Sequence, residues 1–267
     1  MVAEQHTVSL SSGEVAYAVA GAGAPLLYLH GDDGVSWNAV LDGLAASHRV
    51  YAPIAPGFGA RPRHGAVQDV KDLAALYGEF MDTVILRAVA ADAGVDASQA
   101  RSCDVIGQAF GGSVAAWLAL LHPDRIGQLV MCAASGIGPA QRVDQSTQAL
   151  RLHGQQGNAE ALRTFAQNHA VAEAYIGSQL RDEELIARLP EIDHLTLILH
   201  ASADSVVSQA GAQFLRAQLR RSYLIYVWGA ADCMASDQAR RVLAVTRSFL
   251  ERSEAFVVNW GDATRTA

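Results

Sequence analysis

The 267-residue sequence predicts an α/β fold, a mostly parallel sheet of about eight strands flanked by helices. Three observations carry this. Short continuous apolar runs recur along the chain, as expected of strands covered on both faces. They alternate with segments of helical spacing, the pattern of repeated strand–helix–strand units. The start differs: two β-rich runs across a tight turn predict an antiparallel hairpin at one end of the sheet.

In chain order, "HTVSL" and "EVAYAVA" flank Ser11-Ser12-Gly13 and make the hairpin. "PLLYLH" (25–30) is the next strand, a helical stretch follows near 34–46, and "RVYAP" (49–53) is again strand. Leu73, Leu76, Tyr77, Phe80, Val84 and Leu86 give 69–94 helical spacing. "CDVIG" (103–107) is a buried strand, and the helix after it runs from about 109 to 121, stopping near His122-Pro123. "QLVMCA" (128–133) is another strand. Residues 139–190 break the rhythm. They are richer in Gln, Arg, Glu and Asp, hold short helical patterns ending at Pro190, and predict a small helical insertion. The rhythm resumes with "LTLILH" (195–200), a helix near 208–219, "YLIYVW" (223–228) and a helix from about 236 to 252. The core is thus 1–138 with 191–267, and the insertion is 139–190.

Bulk composition excludes several classes. With 51% hydrophobic and 18% charged residues the chain is globular. A net charge of −7 and the absence of a basic run argue against a nucleic-acid surface. Lys71 is the only lysine. Cys103, Cys132 and Cys233 are widely spaced, which predicts neither a metal site nor a disulfide framework. No apolar run reaches membrane-span length and "MVAEQHTVSL" does not read as a signal peptide, so a cytoplasmic setting is expected, with no membrane partner. No cofactor is predicted.

In a sheet of this kind, ligands bind beyond the carboxyl ends of the strands. The loops there carry specific text. His30-Gly31-Asp32-Asp33-Gly34 follows the strand at 25–30, and "APGFGAR" (55–61) the next. Gly107-Gln108-Ala109-Phe110-Gly111 is a sharp strand–turn–helix elbow. "ASADSVV" (201–207) and "GAADCM" (229–234) follow the last two strands. In this order the motifs resemble the α/β-hydrolase superfamily, specifically its small capped members, over nearly the whole chain. The resemblance implies an α/β-hydrolase fold with 139–190 as a helical cap, and a pocket between cap and sheet with Ala109 on its floor. It implies an oxyanion hole made by backbone N–H groups of Asp32 and Phe110, within a ligand-binding set that includes His30, Gly31 and Gln108. It places the acidic member of a catalytic triad at Asp204. The family's nucleophile and histidine would stand at 109 and 232, where this sequence has Ala109 and Asp232. An alanine has no atom to attack a carbonyl, and a carboxylate is a weak base at neutral pH. The serine acyl-enzyme route therefore cannot run on these residues. Two changes together point to a naturally altered site rather than a laboratory substitution.

The remaining polar candidates have plainer readings. Ser113 is expected to pack against the sheet, and Cys132 to be a small buried hydrophobe. Cys103 starts its strand at the wrong end, and Cys233 lines the last loop. His30 is expected to brace its loop and His200 to be a satisfied core group. His153 and His169 are expected to be solvated on the cap, and Trp37 to pack the helix after the His30 loop. Asp32 and Asp33 are expected to cap the helix beginning near Gly34; a sharper reading has them disfavour anionic ligands at the pocket mouth.

Three functions follow. The first is binding of a small, mostly apolar carbonyl compound with little or no classical esterase activity. The second is hydrolysis or lyase chemistry without a covalent intermediate, using the oxyanion donors with water or an Asp204/Asp232 acid–base pair. The third is an inert structural subunit. Homo-oligomerisation is compatible with all three.

Overall fold

The computed structural model describes residues 2–35, 37–94, 102–138, 159–177, 181–204, 206–231 and 234–256. Its strands are β1 (Glu4–Leu10), β2 (Gly13–Ala20), β3 (Ala24–Leu29), β4 (His48–Pro53), β5 (Cys103–Gln108), β6 (Ile126–Cys132), β7 (Thr196–Ala201) and β8 (Ser222–Val227). They form one eight-stranded sheet in the order β1-β2-β4-β3-β5-β6-β7-β8. β1 pairs β2, and β2 pairs β4, antiparallel. The remaining five pairings are parallel. This is the α/β-hydrolase architecture that the motifs implied.

The helices are α1 (Ala39–Leu44), α2 (Val70–Phe80), α3 (Leu86–Ala93), α4 (Phe110–Leu121), α5 (Ala159–Ile176), α6 (Glu183–Arg188), α7 (Gln209–Gln218), α8 (Met234–Asp237) and α9 (Ala239–Arg252). They cover both faces of the sheet, and successive side chains of one strand divide between them. On β3, Leu27 and Leu29 join a core with Leu73, Tyr77 and Phe80 of α2 and Trp117 of α4. Leu26 and Tyr28 join the opposite core, with Leu41 and Leu44 of α1 and Phe249 of α9. Each such side chain contributes about 1.5–3 kcal/mol by leaving water. Helix α4 is apolar almost all round, and ten of its twelve residues are buried. A helix covered on all sides has no need of a polar stripe.

One element departs from expectation and another follows it. The helix near 34–46 shrinks to α1, because the Asn38 side chain accepts from Val40 N and Leu41 N and starts the helix there. The preceding chain is spent on a tight loop, in which Gly34 N donates to Gly31 O at 3.0 Å. The helical stretch 69–94 is continuous through a π-type turn at Met81–Ile85 and ends on left-handed Gly94, φ 66°. Helices α5 and α6 fall within 139–190, of which 139–158 and 178–180 lie outside the described residues. No described helix is long and apolar enough to cross a membrane.

Candidate functional site

The elbow is built by close approach. A Cβ on Gly107 would stand 2.3 Å from Gly111 O, and one on Gly111 would stand 2.3 Å from Leu29 O. One on Gly112 would stand 2.5 Å from Ala134 Cβ. Glycine at these three places lets β5 turn directly into α4. At the apex, Ala109 holds φ 45° and ψ −113°, a backbone that L side chains rarely adopt. Surrounding bonds enforce it: Ala109 N donates to Cys132 O at 2.8 Å. Its carbonyl accepts from Gly112 N at 2.9 Å and Ser135 N at 3.1 Å. The strained turn is therefore complete, with a methyl group at its tip.

A cleft of about 440 Å³, counting its open mouth, lies over Ala109. Asp32, Asp33, Gln108, Ser135 and Asp204 supply its polar wall. Ala109, Ala133, Phe165, Val206 and Val207 supply its apolar wall. The structure thus brings Asp32, Gln108, Ala109 and Asp204 together. A second, more apolar chamber of about 550 Å³ lies under α1 and α9 and shares Gln108, Ala109 and Ala133 with the cleft. Cys132 lines this chamber, and burial pushes its thiol up to about 12, so it is unreactive near neutrality. Tyr28 OH donates to Gln108 Oε1 at 2.7 Å and orients that amide beneath the elbow.

His30 braces its loop. As the neutral tautomer it donates from Nδ1 to Gly31 O at 2.8 Å and accepts at Nε2 from Ala55 N at 3.0 Å. Burial lowers its pKa to about 4, although Gly31 O and Asp32 pull the other way.

Asp32 departs most from expectation. It does not cap the following helix. Its side chain is 7% exposed and turns inward, where Oδ1 accepts from Phe110 N at 3.3 Å. A backbone N–H expected to face a ligand is instead held by the chain's own carboxylate. Helix N-termini attract anions, and the nearest anion here is covalently attached. Asp32 Oδ2 lies 3.0 Å from His169 Nδ1, and His169 Nε2 lies 3.4 Å from Glu173 Oε1.

His169 was expected in solvent. It is buried because α5 lies against the loops at 30–34 and 55–61. Asn168 Nδ2 donates to Asp33 O at 3.1 Å, and its Oδ1 accepts from Gly59 N at 3.0 Å. Tyr175 OH donates to Pro56 O at 3.0 Å. The only local sign of His169's importance was its i, i+4 spacing to Glu173, which many exposed helices share.

Asp204 Oδ1 accepts from Val206 N and Val207 N, each at 2.8 Å, so one carboxylate oxygen closes its own turn. Asp232, Cys233 and His153 lie outside the described residues, so the pairing of Asp204 with Asp232 does too. His200 corrects another expectation. It is fully buried edge-on to Tyr226, and neither ring nitrogen has a hydrogen-bond partner among the described residues. Burial lowers its pKa. Ser113 Oγ donates to Ser135 O, a packing role. Trp37 Nε1 donates to Asp42 Oδ1 at 2.9 Å and ties the loop to α1. Among the described residues no cluster of three or more His, Cys, Asp or Glu could hold a metal ion.

Comparison with known proteins places this geometry. A family model described as "Alpha/beta hydrolase family" matches residues 26–258. A 2-hydroxymuconate semialdehyde hydrolase of Pseudomonas sp. (strain CF600) is 35% identical over 123 residues, 44% of this chain and 38% of that one. A pimeloyl-[acyl-carrier protein] methyl ester esterase of Aeromonas hydrophila is 32% identical over 122 residues, 43% of this chain and 39% of that one. The matches span about two fifths of the length of these curated relatives. Among solved structures, a hydrolase from Pseudomonas aeruginosa PA01 superposes with TM-score 0.72 at 23% identity, covering 92% of this chain and 98% of that one. An esterase from Rhodococcus sp. ECU1013 gives TM-score 0.68 at 21% identity, covering 94% and 99%.

Proposed function

This chain belongs to the alpha/beta hydrolase family, and from that premise we propose that it binds a small, mostly apolar carbonyl compound in the cleft over Ala109 without forming an acyl-enzyme. One observation carries the reading. The elbow keeps its strained backbone, φ 45° and ψ −113°, while its tip carries no nucleophile. Asp32, Asp33 and Asp204 on the cleft wall support a neutral rather than an anionic ligand. The segment 139–190 serves as the cap, with α5 closing one side of the cleft.

A second reading is favoured by those same carboxylates. They could activate water or move a proton on the bound carbonyl, which makes a hydrolase or lyase without a covalent intermediate. The two readings share the cleft and differ only in turnover.

The test is kinetic. The protein should turn over p-nitrophenyl acetate negligibly, and Ala109→Ser with Asp232→His should gain esterase activity. Adding Asp32→Gly should raise that activity further, because it releases the Phe110 N–H to an oxyanion. Saturable ester hydrolysis by the unaltered protein would remove the inert-binder reading. No gain in the folded double variant would mean that the site has drifted beyond serine geometry.

A further inference from the structure

The carboxylates around Ala109 are not equivalent, and we propose that Asp32, backed by His169 of α5, is the general base of this site. The base then stands on the oxyanion loop. This rests on the cleft reading above.

Asp32 is held from three elements at once. It lies on the loop after β3, its Oδ1 accepts from Phe110 N at the start of α4, and its Oδ2 meets His169 of α5. The His169 ring is fixed in turn, between Asp32 at 3.0 Å and Glu173 at 3.4 Å, and stacks on Phe165 with planes 9° apart. Two donors converge on Asp32, so its ionised form is the one its surroundings complement, as a base requires. Yet Asp32 still lines the cleft beside Ala109. Asp204 Oδ1 instead closes its own turn, accepting from Val206 N and Val207 N. Among the described residues, the other titratable groups around Asp32 include Asp33 and His30 from its own loop, Glu173 from α5, and Asp204 on the same cleft wall.

The chemistry is proton abstraction next to a carbonyl. Asp32 takes the proton, the C–H pair becomes a C=C bond, and the carbonyl π pair moves to oxygen. As Asp32 becomes neutral its hold on the Phe110 N–H weakens, and that N–H can donate to the new oxyanion. Reprotonation returns the proton, so no co-reactant is consumed. Asp32 acts on the ligand. His169 acts through Asp32 and is a positioning residue.

The probe is 5-nitrobenzisoxazole, which needs only a placed base. Its ring C–H gives up a proton, the N–O bond breaks, and a nitrile and a coloured phenolate form. Saturable elimination is expected, with kcat falling about 100-fold in Asp32→Asn, the usual scale for a general base. Asp204→Asn should lower kcat far less than Asp32→Asn does. His169→Asn, which keeps a donor near the Nδ1 position, should retain most activity. His169→Phe should lower kcat about tenfold and move the acid limb of the remaining pH profile upward. Val206→Trp, which fills the cleft, should abolish elimination. If Val206→Trp abolishes it and Asp32→Asn does not, the cleft stands and Asp32 is not the base. If neither matters, or the unaltered protein shows no saturable elimination, both ideas fall. Matching circular dichroism spectra establish that each variant is folded.

Discussion

Ala109→Gly should stabilise this protein, which is unusual for a glycine introduced beside a helix. Ala109 sits at φ 45° and ψ −113°. A side chain held in such a region costs about 1–3 kcal/mol, and glycine removes that cost. Two terms oppose the gain. Glycine loses about 0.5–1 kcal/mol more backbone entropy on folding. The half-buried methyl forfeits about half of the 0.8 kcal/mol that full burial of such a group provides. With strain near the middle of its range, the balance is a gain of about 0.5–1 kcal/mol. The backbone bonds from Ala109 N to Cys132 O, and from Gly112 and Ser135 to Ala109 O, survive the change. Urea unfolding should show a higher midpoint at constant slope, with Tm rising by about 2 °C. Gly107→Ala is the opposing control. Its Cβ would lie 2.3 Å from Gly111 O, so a loss of about 3 kcal/mol or more is expected. A loss above about 1 kcal/mol in Ala109→Gly would refute the reasoning. The methyl group would then be packed into the site, and the turn would carry less strain than its angles imply.

His200→Leu should also stabilise, by about 1 kcal/mol, because it removes two buried ring nitrogens without partners among the described residues. Equilibrium denaturation measures this, and a clear loss would point to a partner for the ring. The pH dependence of stability should carry the mark of His30. Its folded pKa of about 4 lies below the unfolded 6.5, so its contribution is intact above 6.5 and declines as pH falls towards 4. The shift corresponds to about 3 kcal/mol, read from urea unfolding across that window. In His30→Gln the fall should be smaller by that amount. An identical fall in the variant would mean that carboxylates alone set acid stability.

Strand positions were legible because each buried strand writes its own signal. "PLLYLH" and "LTLILH" are apolar on both faces, and β3 and β7 occupy those stretches to within a residue. The elbow was legible because only glycine fits at Gly107 and Gly111, where a Cβ would stand 2.3 Å from a backbone oxygen. Asp32 and His169 were misread for a different reason. Asp32 before a helical stretch has the local signature of a cap, and His169 in an Ala-rich helix beside Gln167 and Asn168 has the signature of a solvated face. Local pattern reports what a residue does for its own element, and these two act between elements 137 positions apart.

The sequence by itself determined the sheet, the sharp turn and the alanine at its tip, because each depends on spacing, on glycine, or on the identity of one side chain. Only the tertiary structure decided where the surviving charges point. Seating α5 against the loops at 30–34 and 55–61 buries His169, draws Asp32 inward, and sets that carboxylate on the Phe110 N–H. A buried carboxylate must find donors, and which donors come within hydrogen-bond reach is a property of how helices and loops pack, not of their order along the chain.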